Sequence, residues 1–333
     1  MRTRIEKGSK VICWGVGLAI VIIVNASSIR GFAQEGKYPS KQIEMVVPNA
    51  PGGIVDMAGR IFGAALSSHL KVPVIIKNQA GAGGMTGARA VLNAKPDGHT
   101  ILIVAAPALI SNSQLMNDVP FDFKRDFLPL GYLADAGVVF SVSKTSPFKS
   151  WAEFVQHAKS NPGKLQGGFG SIGAEAHLML LAALSEAKID VKSVCFIGAG
   201  PLSMALMGGH IDLRVSTVPS TMQYIKSGEM RAILLTRPSA LLPGVPSGPE
   251  IGLPSVSVSL WMGLFANSKT PKPVYDRLVS AVEAASKSTD VVKKLTDLGC
   301  DVLYKNPKET SKLIEEQWVL YDRLIKQNNI KLN

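Results

Sequence analysis

The chain has 333 residues, 36 Lys and Arg against 25 Asp and Glu, five His and three Cys, giving a formal net charge of +11. That length exceeds what one core usually organises, so two lobes are expected. The positive charge is not gathered into Lys/Arg runs or interleaved with aromatic residues, which argues against nucleic acid as a partner. His69, His99, His157, His177 and His210 are scattered, none at ligand spacing with another His or Cys, so neither a metal nor a cofactor is expected.

The amino terminus carries Arg2, Arg4, Lys7 and Lys10 ahead of an uncharged apolar run over residues 11–26, then Gly31-Phe32-Ala33 as a small-residue processing site. This pattern predicts residues 1–33 as a signal peptide cleaved after about Ala33, with an uncleaved anchor as the alternative. Cleavage lowers the net charge to +7, because the segment holds five Lys or Arg and one acid. Cys195 and Cys300 then remain, far apart and without CxxC spacing, and a lone disulfide between them is left open.

Residues 43–48 read as a strand, Asn49-Ala50-Pro51-Gly52-Gly53 as a turn, and Ile54, Ala58, Ile61, Phe62, Ala65 and Leu66 as one face of a helix. A second unit follows: a strand over 72–76, a Gly-rich turn over 78–84, and a helix stopped by Pro96-Asp97-Gly98. Residues 100–104 and 138–142 read as strands. Helices are predicted from Ser150 and from Gly173, strands over 191–197, 211–215, 231–236 and 260–266, a Pro-rich loop over 238–254, a helix from Pro273 and an amphipathic tail over 307–327. Strands alternating with helices argue for an α/β chain whose strand-to-helix turns form a binding crevice.

Tyr38-Pro39-Ser40, Val46-Val47-Pro48, Gly52-Gly53 with Asp56 and Arg60, Asn78, Gly81-Ala82-Gly83-Gly84, Gly87 and Pro96-Asp97-Gly98 stand in the order found in one group of proteins. The likeness continues through Arg125-Asp126-Phe127, Asn161-Pro162-Gly163-Lys164-Leu165, His177-Leu178, Gly208-Gly209, Lys226-Ser227-Gly228, Trp261 and Thr270-Pro271-Lys272-Pro273. The chain thus resembles the Bug family, the periplasmic solute receptors of tripartite tricarboxylate transporters. The resemblance implies a two-lobed periplasmic-binding-protein-like fold of type II, each lobe a mixed sheet flanked by helices. Lobe 1 would comprise residues 34–137 and 239–333, and lobe 2 residues 138–238.

A turn between a buried strand and a helix offers unpaired N–H groups beside the positive end of the helix dipole, which suits an anion. Two such turns, residues 48–53 and Ser171-Ile172-Gly173-Ala174, are expected to face each other and hold a small carboxylate. The candidate ligand-binding set is Asn49, Ala50, Gly52, Gly53, Asp56, Ala106, Ser171, Ile172, Gly173, Ala174 and Thr217, with no catalytic and no metal-binding residue. Asp56 is expected either to order its loop by accepting N–H bonds or to hold a ligand-bridging water. His177 is expected to be a packed helix residue, since no nucleophile is spaced to use it. The turn at residues 81–87 fails both the dinucleotide and the P-loop spacing and reads as support for the cleft.

The chain departs from the family pattern at Asn49, at Ala174, at Cys195-Phe196-Ile197-Gly198, and at Glu175, which adds a potential negative charge beside the pocket. These changes raise the possibility of a ligand carrying an amine or ring nitrogen beside its carboxylate. The leading reading is an exported, periplasmic, monomeric receptor that delivers a small organic acid to the membrane subunits of a tripartite tricarboxylate transporter. The alternatives are a receptor serving a sensor system and a nucleotide-dependent enzyme; the broken cofactor spacing counts against the enzyme.

Overall fold

The run Ile43–Val47 forms strand β1 with Ile43, Met45, Val46 and Val47 all buried, as expected for a strand covered on both faces. The helix that follows, α1 (Ile54–Leu70), places Val55, Ala58, Phe62, Leu66 and Leu70 on its buried side. The same alternation repeats through β2 (Val74–Asn78), α2 (Met85–Asn93), β3 (Thr100–Ala105) and α3 (Ala106–Leu115), with β2 and β3 both parallel to β1. This computed structural model describes residues 38–116 and 118–331. The predicted signal segment and its cleavage point lie outside the described residues. Of the described residues, Tyr38–Ser40 fall in one unit, in which the Tyr38–Pro39 peptide is cis, and the chain from Lys41 onward forms the other.

A short helix α4 (Phe123–Asp126) leads into β4 (Phe127–Ala136), an interior strand between β10 (Leu260–Asn267) and β11 (Asp301–Lys305). The predicted strands include none over these residues, where Pro129 and Gly131 each disfavour a strand locally. The sheet accommodates both through irregular pairing: β10 shifts register against β4 at Met262/Gly263 and Leu264/Phe265. The complete sheet has the order β11-β4-β10-β3-β1-β2, with β10 antiparallel to β3 and β4.

Beyond Gly137 the chain enters a second sheet through β5 (Val138–Ser143). It continues through α5 (Trp151–Ser160), β6 (Gln166–Phe169), α6 (Glu175–Ala187), β7 (Lys192–Cys195), α7 (Ala199–Met207), β8 (Leu213–Thr217), α8 (Val218–Lys226) and β9 (Met230–Leu235). Its order is β7-β6-β8-β5-β9, with β6 parallel to β7 and β8 and β5 antiparallel to β8 and β9. Both sheets are therefore mixed and flanked by helices. The outgoing and returning segments bond to each other, Thr236 N–H to Val138 O at 3.0 Å and Val138 N–H to Thr236 Oγ1 at 3.2 Å.

Three helices complete the first sheet's covering: α9 (Lys272–Ser286), α10 (Thr289–Asp297) and α11 (Pro307–Gln327). The start of α11 is fixed by a capping box, in which Asn306 Oδ1 accepts from Glu309 N–H at 3.0 Å and Glu309 Oε2 accepts from Asn306 N–H at 2.9 Å. Its buried face, with Ile314, Gln317, Tyr321 and Leu324, packs on α3, β4 and α6. Gln317 accepts from Trp261 Nε1–H at 2.9 Å, and the Trp261 indole stacks on Tyr132 with ring centroids 5.0 Å apart. Because α6 follows β6 of the second sheet, α11 joins elements of both sheets into one apolar core.

Candidate functional site

Each candidate residue falls at the carboxyl end of a parallel strand, where the chain turns into a helix. The starts of α1, α3, α6 and α8 are capped by Gly53, Ala105, Ala174 and Thr217, and in none does the N-cap side chain accept a first-turn N–H. Two of these helices follow β1 and β3, neighbours in the first sheet, and two follow β6 and β8, neighbours in the second. Unpaired N–H groups at the positive ends of four helix dipoles favour an anion over a cation or a neutral ligand.

The first turn is locked from below. Gly52 has φ +85° and donates its N–H to Asp56 Oδ2 at 2.9 Å. Asp56 also accepts from Arg60 Nε at 3.0 Å, Arg60 Nη2 at 3.1 Å and Asn78 Nδ2 at 2.9 Å, while the Asn78 amide donates to Asn49 O at 3.1 Å. Burial alone would raise the Asp56 carboxyl, but the Arg60, Gly52 and Asn78 donors outweigh it and hold the group below the ordinary carboxylate value. With both oxygens engaged, Asp56 orders the loop. Asn49, Ala50, Gly52 and Gly53 are left exposed on its outer side.

The Gly-rich turn before α2 packs directly under this loop. A Cβ added at Gly87 would lie 2.8 Å from Pro48 Cβ, 2.9 Å from Pro48 Cα and 3.0 Å from Gln79 O, so only glycine lets the two turns meet. Asn112 of α3 ties in the same turn by donating to Gly83 O at 2.8 Å. Ala106, the first residue of α3, is fully buried.

In the second sheet, Gly173 has φ +75° and donates its N–H to His177 Nδ1 at 3.1 Å. A side chain at Gly173 would run into Leu115 Cδ1, so the turn closes onto the carboxyl end of α3. Burial pushes the His177 imidazole down to about 4, and its ring stacks on Phe169 with centroids 4.0 Å apart. It is a packed, neutral helix residue, as its sequence context led us to expect. Ser171 and Ile172 are exposed, and Ala174 supplies the N-cap. Thr217 lies in a separate hydroxyl cluster: its Oγ1 donates to Ser220 Oγ at 3.1 Å, and Ser216 Oγ sits 2.9 Å from the same atom. Beneath that cluster the fully buried Arg214 donates to Ser220 O and Thr221 Oγ1, and among the described residues it forms no ion pair.

Arg60 and Asn78 are the supporting residues to which the sequence reading gave no role. The four-residue spacing of Asp56 and Arg60 is a legible signal; Asn78 becomes meaningful only when β2 pairs with β1 and sets Asn78 beside Val47. Cys195 and Cys300 are both free, the first exposed and the second buried with its thiol pushed up to about 12 by burial. Among the described residues no group of three or more His, Cys, Asp or Glu is placed to hold a metal.

Two mixed sheets flanked by helices, joined by two crossing segments, define the two-lobed class of periplasmic solute-binding proteins. Within that class, residues 59–330 match the model of the tripartite tricarboxylate transporter family receptor, and the chain belongs to this family. The family consists of periplasmic binding receptors, not enzymes. A protein encoded in the tcbD-tcbE intergenic region of Pseudomonas sp. strain P51 is 31% identical, with 94% of each chain covered. Among solved structures, MatC from Rhodopseudomonas palustris with bound malate is 29% identical at a TM-score of 0.68, covering 86% of this chain and all of that one. An R. palustris protein with adipate is 25% identical at a TM-score of 0.74, covering 88% and 99%.

Proposed function

We propose that this chain is an exported receptor that closes two lobes on a small organic acid and presents it to the membrane subunits of a tripartite tricarboxylate transporter. The observation that carries the reading is the set of four helix starts without side-chain caps, two on neighbouring strands of each sheet. Similar proteins were solved with malate and adipate, ligands with a carboxylate at each end. One carboxylate docks on the turn at residues 48–53, through the N–H groups around Asn49, Ala50, Gly52 and Gly53, with Asp56 holding the loop and Ala106 flooring it. The other docks on Ser171, Ile172, Gly173 and Ala174, with the Thr217 cluster at its edge.

In this reading residues 34–137 and 239–333 form lobe 1 and residues 138–238 form lobe 2, and closure is a hinge motion about the two crossings. Export follows cleavage after about Ala33, and the receptor acts as a monomer. No described helix is long and apolar enough to cross a membrane. The test is a thermal-shift screen of residues 34–333 against mono-, di- and tricarboxylates, aromatic acids and amino acids. A ligand at 100 times its Kd stabilises the fold by about 2.7 kcal/mol, enough to raise Tm by several degrees. Folded protein that shifts with none of these acids, and carries no co-purified acid by mass spectrometry, would rule the reading out.

A further inference from the structure

Glu175 is the first helical residue of α6, and so stands where the second-sheet turn would receive a carboxylate. Only 9% of it is exposed, and among the described residues no other side chain or backbone donor bonds to it. Burial raises its carboxyl above the ordinary value, and the one bond that opposes the rise comes from its own backbone N–H. A carboxyl nine-tenths buried and without a cation thus stands at the start of the helix that would receive an incoming anion.

The surroundings offer it no cation. On α11 the fully buried Tyr321 feels the Glu175 charge, its hydroxyl has no partner, and burial first, then Glu175, hold it protonated far above its ordinary value. The charged residues of α11 are exposed or, like Asp322, paired with a neighbour on the same helix. Strand β6 has no titratable side chain, and Arg214 on β8 is committed to Ser220 and Thr221 of α8. On α6 itself, His177 is neutral, and Glu186 near the far end accepts from Ser255 N–H at 3.1 Å. The neighbouring end of α3 carries no titratable group.

We propose that Glu175 couples carboxylate capture to the uptake of one proton: an anion docking at the start of α6, beside this buried carboxylate, drives it to the neutral acid. A second carboxylate docking beside one that is nine-tenths buried, with no cation between them, disfavours the ionised form of the first. The proton comes from solvent and ends on the Glu175 carboxyl; the ligand stays anionic. Glu175 then has a higher pKa with ligand bound than without, so affinity falls as pH rises between the two values, by up to about tenfold per pH unit. The inference rests on the carboxylate-receptor reading given above.

The experiment is calorimetry of malate and adipate binding to residues 34–333, in buffers of different ionisation enthalpy, at pH values where the free acids are fully ionised. Wild-type protein is expected to take up close to one proton per ligand within the window. Glu175→Gln, which imitates the neutral acid, is expected to bind without proton uptake and more tightly than wild type at the high-pH end. Wild-type binding without proton exchange and without pH dependence overturns the inference while leaving the receptor reading intact. A Glu175→Gln variant that loses affinity at every pH also overturns it, by assigning Glu175 a direct contact with a ligand donor. Absence of binding by every acid removes both. Should Glu175→Gln fail to fold, the wild-type buffer series decides the matter by itself.

Discussion

His177 accepts the Gly173 N–H through Nδ1, which leaves the ring proton on Nε2 and makes a second proton costly. Its imidazole lies at about 4 in the folded chain against an ordinary 6.5, because burial disfavours the charged form. The unfolded chain thus binds the extra proton more readily, and the stability that His177 contributes is complete above pH 6.5 and lost as pH falls toward 4. The loss amounts to roughly 3 kcal/mol. Urea unfolding at pH 7 and at pH 4.5 should show the wild type losing stability that His177→Gln, which does not titrate, retains. Equal acid sensitivity in the two proteins would mean that the imidazole is not held neutral. Asp56 has the opposite role, since its folded state favours the charged form and it stabilises the loop at every pH above its ordinary value.

Among the elements, the most demanding contact is the one between the turn before α2 and the turn after β1. Gly87 on α2 meets Pro48 and Gln79 O so closely that Gly87→Ala must push Pro48, and with it residues 49–53, away from the lock made by Asp56 and Asn78. The expected result is a stability loss of about 1–3 kcal/mol by overpacking together with weakened carboxylate binding. Thermal unfolding and calorimetry report the two separately. A variant with unchanged affinity would show that the loop does not depend on its support. Strand β4 teaches the complementary lesson about legibility. Pro129 and Gly131 speak against a strand in isolation, yet β10 and β11 pair with it from both sides and absorb the misfit as register shifts.

At the scale of the whole molecule, the two sheets are joined by only two crossings, and one guanidinium stands where they run together. Arg237, just past the end of β9, lies 3.0 Å from Asp135 Oδ2 on β4 and 2.7 Å from Asp301 Oδ2 on β11. Asp135 is 2% exposed and also accepts from the Tyr132 and Ser259 hydroxyls, both at 2.5 Å. Burial works against the Arg237 charge, but Asp135, Tyr132 and Asp301 outweigh it and keep the guanidinium more firmly protonated than usual. Arg237→Gln leaves the Asp135 charge buried without its cation and is expected to destabilise the fold by roughly 3 kcal/mol. It should also loosen the crossing and widen the range of lobe angles, which small-angle scattering with and without ligand measures. Unchanged unfolding and scattering would show that the crossings are held by backbone pairing alone.

The sequence by itself determined the alternation of strand and helix, the family, and the two turns that frame the proposed site, because each of these is written in local periodicity and in glycine and proline placement. Tertiary structure alone decided which groups meet: Asn78 with Asp56 through the β1–β2 register, Gly87 with Pro48 through turn packing, and Arg237 with Asp135 and Asp301 through the crossing of two distant segments. It also decided the environment of Glu175. As a letter in the sequence Glu175 is a charge beside a pocket; in the fold it is nine-tenths buried, and that burial raises its carboxyl above the ordinary value.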